Sequence, residues 1–598
     1  MTDPSAAAPR LIDEDTPLAE VLASAEAQAI IARRLPHLAG SVEDFPINIS
    51  AFPLSSVLRF ELENDEAAVA ELLEQLSTIV NPVPARREEP VIHADPDYED
   101  HSVPRGSAAF SISEAPAQNR TVELALAGPQ HGNPFVDVEF AARFTSTEAE
   151  FEVGGFYDGG GRYVVRFLPP APGLWSFVVT STARSLDGVR GSFTVSASSA
   201  RGPVRVVGRS HFETADGSAF HAVGTTAYAW IHQPEDLQER TLRALAQAPF
   251  NKLRMCLFPK DYVYNHNEPD DFVFARTEDG AFDFTRFDTG FFARLERRIG
   301  QLADRGIDAE VILFHPYDRW GFADMGAAVE DRYVTYVVRR LAASPTIWWS
   351  LANEYDLLAG KREADWNRLG ELVRAEDHVG HPRSIHNIER QFDHSQDWVT
   401  HVSAQKNAYE VGELVDQLRA EYSKPVSLDE FGYDGNLEQV WGSLTAEEVV
   451  RRAWQVTLRG AYFTHGETLL NDEEIIFWAK GGDLRGKSPA RIAFLRALVA
   501  DTSPGRISPI RDAVDVLCGG VPGEVLFQYL DSSRPAYRTV RIPKDAAARI
   551  DVIDTWGMSV SEVPGIHTGA VRVDLPSRPF MALRITWEKS APPTEPAR

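Results

Sequence analysis

Two glutamates, Glu354 and Glu430, close two stretches of similar design. Ile347-Trp348-Trp349-Ser350-Leu351-Ala352 is apolar or small throughout, then gives way to Asn353-Glu354 and an acidic segment. Pro425-Val426-Ser427-Leu428-Asp429-Glu430 repeats the pattern, a strand-length run that stops at a carboxylate. Buried parallel strands end in this way, apolar until they emerge and polar where chemistry is done. The glutamates lie 76 positions apart, room for about three βα units at roughly 25 residues each. If both strands belong to one barrel, both carboxyl groups open on its C-terminal face. Two carboxyl groups across one cleft are what cleavage of a glycosidic bond requires, one to attack or activate water and one to protonate the leaving oxygen.

An Asn-Glu pair at one strand end, answered three units later by a lone Glu at another, resembles clan A of the glycoside hydrolases. The resemblance spans roughly residues 211–500. It implies a (β/α)8 TIM barrel and a retaining glycosidase, with Glu354 as acid/base on the fourth strand and Glu430 as nucleophile on the seventh. It also implies that Arg254, from the second strand, supports the nucleophile. Within the clan, the barrel resembles uncharacterised families near the apiosidases and the family-five cellulases. These act on different sugars, so the glycone is left open.

The remaining roles follow from the reaction. The nucleophile must be ionised and the acid protonated. Burial against Trp349 or Tyr355, together with the charge of Glu430, is expected to raise the pKa of Glu354. Asn353 is expected to bond the sugar hydroxyl beside the anomeric carbon. His315, His386, His401 and Glu467 fall at or near expected strand ends and are taken as substrate contacts, with Trp478 stacking on a sugar ring. The three histidines alternatively fit a metal-dependent barrel hydrolase. They lie on separate strands with no His-x-His or His-x-x-x-His pair, so no metal and no cofactor is expected. A third reading is a non-catalytic carbohydrate-binding protein, and the presence of both glutamates argues against it.

The elements that must position these residues are legible as an alternation of strands and helices from residue 211 to 504. Strands are expected at 219–224, 252–258, 308–315, 347–354, 383–387, 398–403, 426–430 and 460–466. A long insertion at 259–289 carries Tyr262, Tyr264, Asn265, His266 and Asn267. Loops of that length on the catalytic face tend to wall off a cleft, so an exo-acting enzyme, or one taking short oligosaccharides, is expected. Before the barrel, residues 106–200 show short alternating runs separated by Gly, Pro and Asn, the pattern of a β-sandwich. Its segments Gly154 to Gly159 and Gly173-Leu174-Trp175 resemble the immunoglobulin-like domain that precedes the barrel in some clan A hydrolases. Phe156, Tyr157 and Trp175 serve there either as a sugar platform or as core. Residues 505–590 read as a second, smaller sandwich. Residues 1–80 read as a small helical module, with expected helices at 17–38 and 67–80 after a loose tail, and residues 81–105 as a linker. Packing is the leading role for the module, with docking, dimerisation and a lid left open.

The chain has 598 residues and a net charge of −27. That charge disfavours nucleic acid and anionic membrane as partners and is indifferent to a neutral sugar. A carbohydrate, as oligosaccharide or glycoside, is the expected partner, with a homo-oligomer open. Cys256 and Cys518 fall in different expected domains, which argues against a disulfide framework. The N-terminal stretch carries no basic region followed by an apolar run, so a cytoplasmic location is expected.

Overall fold

The computed structural model describes residues 10–38, 49–83, 91–502 and 505–588. The tail read over 1–12 and the linker read over 81–105 therefore fall partly outside the described residues. Four helices open the chain: α1 (Leu18–Leu22), α2 (Ala25–Arg34), α3 (Leu54–Glu61) and α4 (Glu66–Leu76). The single helix expected at 17–38 is broken in two. Ser24 turns its hydroxyl back to accept from the Ala27 N–H at 3.3 Å, a hydroxyl cap that starts a new helix. Leu18, Val21, Ile31, Leu54, Leu58, Leu72 and Leu76 share one core, and Leu357 of the barrel is part of it. Tyr317 and Ile388 pack against the same core, so the module is seated on the barrel.

Residues Phe110–Val195 form two four-stranded antiparallel sheets packed face to face. Phe156, Tyr157 and Trp175 are all buried. The platform alternative is thereby corrected: these rings fill the sandwich core and its contact with the barrel. Part of the expected linker is also pinned. Tyr98 is buried in the sandwich core, and the Glu99 carboxylate accepts from the backbone N–H and hydroxyl of Ser185.

The barrel consists of β1 (Val223–Thr226), β2 (Lys252–Cys256), β3 (Asp308–Phe314), β4 (Ile347–Ala352), β5 (Arg383–Ser384), β6 (Val402–Gln405), β7 (Val426–Glu430) and β8 (Tyr462–His465). All pairings are parallel, and the hydrogen-bonded order is 5-4-3-2-1-8-7-6. Near the base, the N–H of Thr400 bonds the carbonyl of Arg383 at 2.9 Å and draws β6 towards β5. β6 begins four residues later than expected. Trp398 looks like strand in sequence, but it is a plug under the helix Glu363–Glu376, where its indole N–H bonds Asn367 at 2.9 Å. An unexpected antiparallel hairpin, Val204–Val207 with His211–Thr214, closes the barrel floor and sets Phe212 against Trp348 and Tyr462. The long insertion contains a hairpin of its own, Phe274–Arg276 with Phe282–Phe287.

A six-stranded antiparallel sheet and a two-stranded pair follow the barrel. The strand Ser559–His567 is absent from the sequence expectation, because an edge strand exposed along nearly its whole length carries no apolar alternation. Trp454 of the barrel helix Ala446–Leu458 stacks on Tyr529 of the sheet, with ring centroids 5.3 Å apart. The N-terminal sandwich is held differently. Arg166 reaches Glu296 at 2.7 and 3.0 Å and the Arg340 carbonyl at 2.9 Å, while Arg340 bonds the same glutamate. One carboxylate thus serves two half-buried or buried guanidiniums. Glu296→Ala takes one carboxylate from both, leaving Arg166 with Glu123 and Arg340 with Asp158, and a destabilisation of about 1–3 kcal/mol is expected, measured by denaturant unfolding and paired with an unchanged result for the exposed Glu148→Ala.

Candidate active site

The floor of the site is a charged lattice inside the barrel. Lys252 and Arg254 alternate inward from β2, Glu310 from β3 and Asp429 from β7, and all four are fully buried. Lys252 bonds Glu310 and, at 3.0 Å, Asp429. Arg254 bonds Glu310 at 2.8 Å and pairs with Asp429 at 3.1 Å. Asp429 also accepts from Ser403 at 2.6 Å, Thr464 at 2.6 Å and Ser427 at 2.9 Å. Burial alone would raise the Asp429 pKa, but Lys252, Arg254 and these hydroxyls hold it well below the usual carboxylate range. Two cations and two carboxylates cancel within one shell.

Above that floor, β4 ends at Ala352 and places Asn353 and Glu354 at the rim. Glu354 itself adopts the left-handed backbone conformation, with φ 52° and ψ 56°, a strained setting for a residue with a Cβ. It is over-determined by its neighbours. The Asn353 N–H bonds the Phe314 carbonyl at 3.0 Å and the Tyr355 N–H bonds the His386 carbonyl at 2.9 Å. Asp356 accepts from the N–H groups of Ile388, Glu389 and Arg390. The Ser56 hydroxyl of α3 donates to the Asp356 carbonyl at 3.0 Å.

Two tyrosines hold the two glutamates. The Tyr317 hydroxyl donates to Glu354 Oε2, and the Tyr228 hydroxyl donates to Glu430 Oε1. Tyr228 also lies 2.9 Å from Asn353 Oδ1, which Arg254 reaches at 3.1 Å. Asn353 Nδ2 is buried and has no acceptor among the described residues, leaving it free to donate into the cleft. The Glu354 pKa is pushed up to about 7, first by burial and then by the charge of Glu430. The ring beside Glu354 is Tyr317 rather than Trp349 or Tyr355. Trp349 donates to Asp377 at 3.2 Å, and Tyr355 donates to the Arg390 carbonyl at 2.8 Å.

Of the expected residues, Asn353, Glu354, Glu430, His386 and Trp478 come together. Ser403 gives its one proton to Asp429, so at 3.1 Å it must accept from His386 Nδ1. His386 Nε2 is therefore bare, 3.7 Å from Glu430 Oε1, and burial followed by Arg254 keeps the ring neutral. Trp478 packs with Tyr228, Tyr262 and Tyr433 in the aromatic wall. Arg254 touches Asn353 and the lattice carboxylates rather than Glu430. His315 is turned away from the glutamates and bonds the Phe258 carbonyl at 3.2 Å. His401 is corrected outright. Preceding β6 rather than ending it, this histidine lies at the barrel floor against Phe212 and Trp348. Glu467 is likewise a clamp, accepting from the N–H groups of Arg485 and Gly486 at 2.6 and 2.7 Å. The three histidines that a metal reading would need thus do not converge. Sequence reasoning assigned no role to Tyr228, Lys260 and Tyr317, each two to four residues beyond a strand, or to the lattice pair Lys252 and Glu310. A polar or aromatic residue just past a buried strand was the signal for the first three. Charged residues at alternate positions within a strand were the signal for Lys252 and Arg254.

Comparison with known proteins agrees with this architecture. Residues 207–470 match the profile "Apiosidase-like, catalytic domain". Residues 117–182 match a domain of unknown function, DUF5060, and residues 514–586 another, DUF5605. A crystal structure described as a "putative glycoside hydrolase" from Bacteroides vulgatus ATCC 8482 shares 35% identity, with a TM-score of 0.76 over 80% of this chain and 100% of that one. The chain belongs to the apiosidase-like glycoside hydrolases. The fold alone is shared with a family 5 glycoside hydrolase from the same organism, at 14% identity and a TM-score of 0.52 over 64% of this chain and 94% of that one. A further structure described as "Glycoside hydrolase" is also 14% identical, with a TM-score of 0.52 over 65% and 98% of the two chains. No curated protein matches the chain.

The raised Glu354 pKa has a consequence for this hydrolase without any substrate. In the unfolded chain a glutamate titrates near 4.3, so between there and about 7 the folded state holds more protons. Stability from this site therefore falls as pH rises through that window. Glu354→Gln removes the slope while keeping an acceptor for Tyr317. It is expected to be nearly neutral at pH 4.5 and stabilising by about 2–3 kcal/mol at pH 8, measured as paired melting curves across pH. Glu467, pushed up to about 7 by burial, keeps its own slope in both proteins.

Proposed function

We propose that this glycoside hydrolase works by retention, with Glu430 as nucleophile and Glu354 as general acid and then general base. The observation that carries the reading is the contrast between two neighbouring carboxyl groups. Glu354 is buried and pushed up to about 7 beside Glu430, whereas Glu430 accepts from the Tyr228 hydroxyl at the rim of the cleft. One group is thus ready to give a proton and the other to attack. Tyr317 occupies Glu354 Oε2, leaving Oε1 for the proton. Attack of Glu430 on the anomeric carbon forms the glycosyl–enzyme bond while the Glu354 proton passes to the departing oxygen. Glu354, now a carboxylate, takes a proton from the incoming water, which displaces Glu430 with a second inversion. Asn353 Nδ2 and His386 Nε2, a free donor and a free acceptor, are placed to hold sugar hydroxyls as charge develops.

The enclosure favours a short or exo-bound substrate. The insertion brings Tyr262 and Tyr264 against Trp478 and Trp441 on one side. On the other, the helical module brings Phe52 edge-on to Tyr317, with centroids 6.3 Å apart. On an oligomer series, monosaccharide release from one end is the expected product pattern, and early mid-length fragments from a polymer would oppose it.

Two variants separate the roles of the glutamates. Glu430→Ala is expected to lose turnover and to yield, with azide, a glycosyl azide of inverted configuration. Glu354→Ala is expected to keep activity on 4-nitrophenyl glycosides, whose leaving group needs no proton, and to give azide product with retention. Anomeric NMR of the products decides. Variants that respond alike to every leaving group would remove the assignment. In the parent, kcat/KM should decline above about pH 7 as Glu354 loses its proton.

A further inference from the structure

Lys260 follows β2 and is 2% exposed. Its ammonium stands 3.9 Å from the ring centroid of Tyr228, 4.1 Å from Tyr317, 4.6 Å from Tyr262 and 5.4 Å from Trp478. It has no hydrogen-bond acceptor and no ion-pair partner among the described residues. Other buried lysines are served: Lys252 by Glu310 and Asp429, Lys361 by Glu330 and the Ala323 carbonyl. Holding an ammonium in a nearly closed site with no protein acceptor is unfavourable, and aromatic faces return only part of the loss. An arrangement of this kind persists where function maintains it.

The cage has a second property. Two of its rings are those that grip the glutamates: Tyr228 donates to Glu430 and Tyr317 to Glu354. A cation over a phenol face draws electron density from the ring and makes its hydroxyl a stronger donor. Lys260 therefore reaches both carboxyl groups through matching intermediates. The groups facing Glu354 are Glu430 from β7, Tyr433 from the loop after β7, Lys260 and Cys256 from β2 and its loop, Tyr317 from the loop after β3, and Asp356 from its own loop. Lys260 is the lone cation of that set. Arg254, the next nearest, is already paired with Glu310 and Asp429.

In the retaining cycle proposed above, on which this inference rests, negative charge leaves Glu430 when the covalent bond forms and appears on Glu354 when its proton departs. We infer that Lys260 is a positioning residue for that exchange: from its aromatic cage it polarises Tyr228 and Tyr317 and supplies one fixed positive charge that compensates either glutamate, whichever is ionised. Burial lowers the ammonium pKa from its ordinary value, and Cys256, Glu354 and Glu430 oppose that lowering.

The test reads Glu354 directly. The carboxylic C=O stretch that Glu354→Gln abolishes is titrated by infrared spectroscopy on the full chain with no substrate present. In Lys260→Met the midpoint is expected to rise by about one pH unit or more. The melting temperature is expected to hold or rise, because a caged charge is exchanged for an apolar chain of similar length. An unmoved midpoint in folded Lys260→Met overturns the proposal. If Lys260→Met does not fold, Lys260→Gln takes the same measurement with the same two outcomes. On any 4-nitrophenyl glycoside that is turned over, the kcat/KM profile should shift towards higher pH in step. A lower rate with unmoved limbs would assign Lys260 to packing and overturn the inference. The infrared midpoint needs no turnover, so failure of the Glu354 and Glu430 assignments would appear separately, in the azide products.

Discussion

The structure turns on a buried electrostatic balance, Lys252 and Arg254 against Glu310 and Asp429 in the barrel interior. Layers of branched aliphatic side chains ordinarily fill that space. Here two cations and two carboxylates do so, with Ser403, Ser427 and Thr464 supplying the remaining donors to Asp429. Such a set tolerates burial only when complete, since removing one member leaves another unpaired in low dielectric. Its members are spaced two residues apart on β2 and matched in register to β3, where Arg254 lies opposite Glu310. The lattice therefore ties strand register to charge. It also aims one Arg254 nitrogen at Asn353, and so orients the residue that precedes the acid.

What sits on the lattice is asymmetric by construction. Asp429 and Glu430 are neighbours in sequence and opposite in setting. Strand alternation sends Asp429 inward, where its charge is fixed, and leaves Glu430 at the rim beside Tyr228. Asn353 and Glu354 divide in a similar way, one bonded to the floor and the other twisted into a left-handed backbone that presents its carboxyl to Tyr317. Asp429 thus serves structure alone, while Asn353 is tied to the floor through Oδ1 and keeps Nδ2 for the cleft beside Glu354.

Much of this was legible in the chain itself. Period-two runs marked both sandwiches, and apolar runs ending in carboxylates marked β4 and β7, because burial on both faces dictates those patterns. Legibility failed where tertiary contacts overrode a local signal. Trp398 and Val399 read as strand, yet Trp398 is a plug beneath a helix, and the resulting shift carried His401 to the wrong end of the barrel. Ser559–His567 is a strand whose apolar residues, Val560, Val563 and Ile566, fall three apart and so show no period-two alternation. The aromatic cage was invisible because Tyr228, Lys260, Tyr317 and Trp478 come from four separate loops, and proximity across loops leaves no spacing to read. Glu467 ends a strand-like run just as the other two glutamates do. Only the fold shows that its carboxylate is spent on the N–H groups of Arg485 and Gly486.

The seating of the helical module bears on how the molecule is made. Ser56 meets Asp356 across 300 positions of sequence, and the module's core is completed by Leu357. At ribosomal speeds of about 5–20 residues per second, that interval is roughly 15–60 seconds. Throughout it, the helices exist without the surface that covers them. The helices are thus made well before the surface on which they finally pack. A nascent chain must shield that apolar face, by local collapse or by a chaperone, until β4 and the loop beyond it have been synthesised.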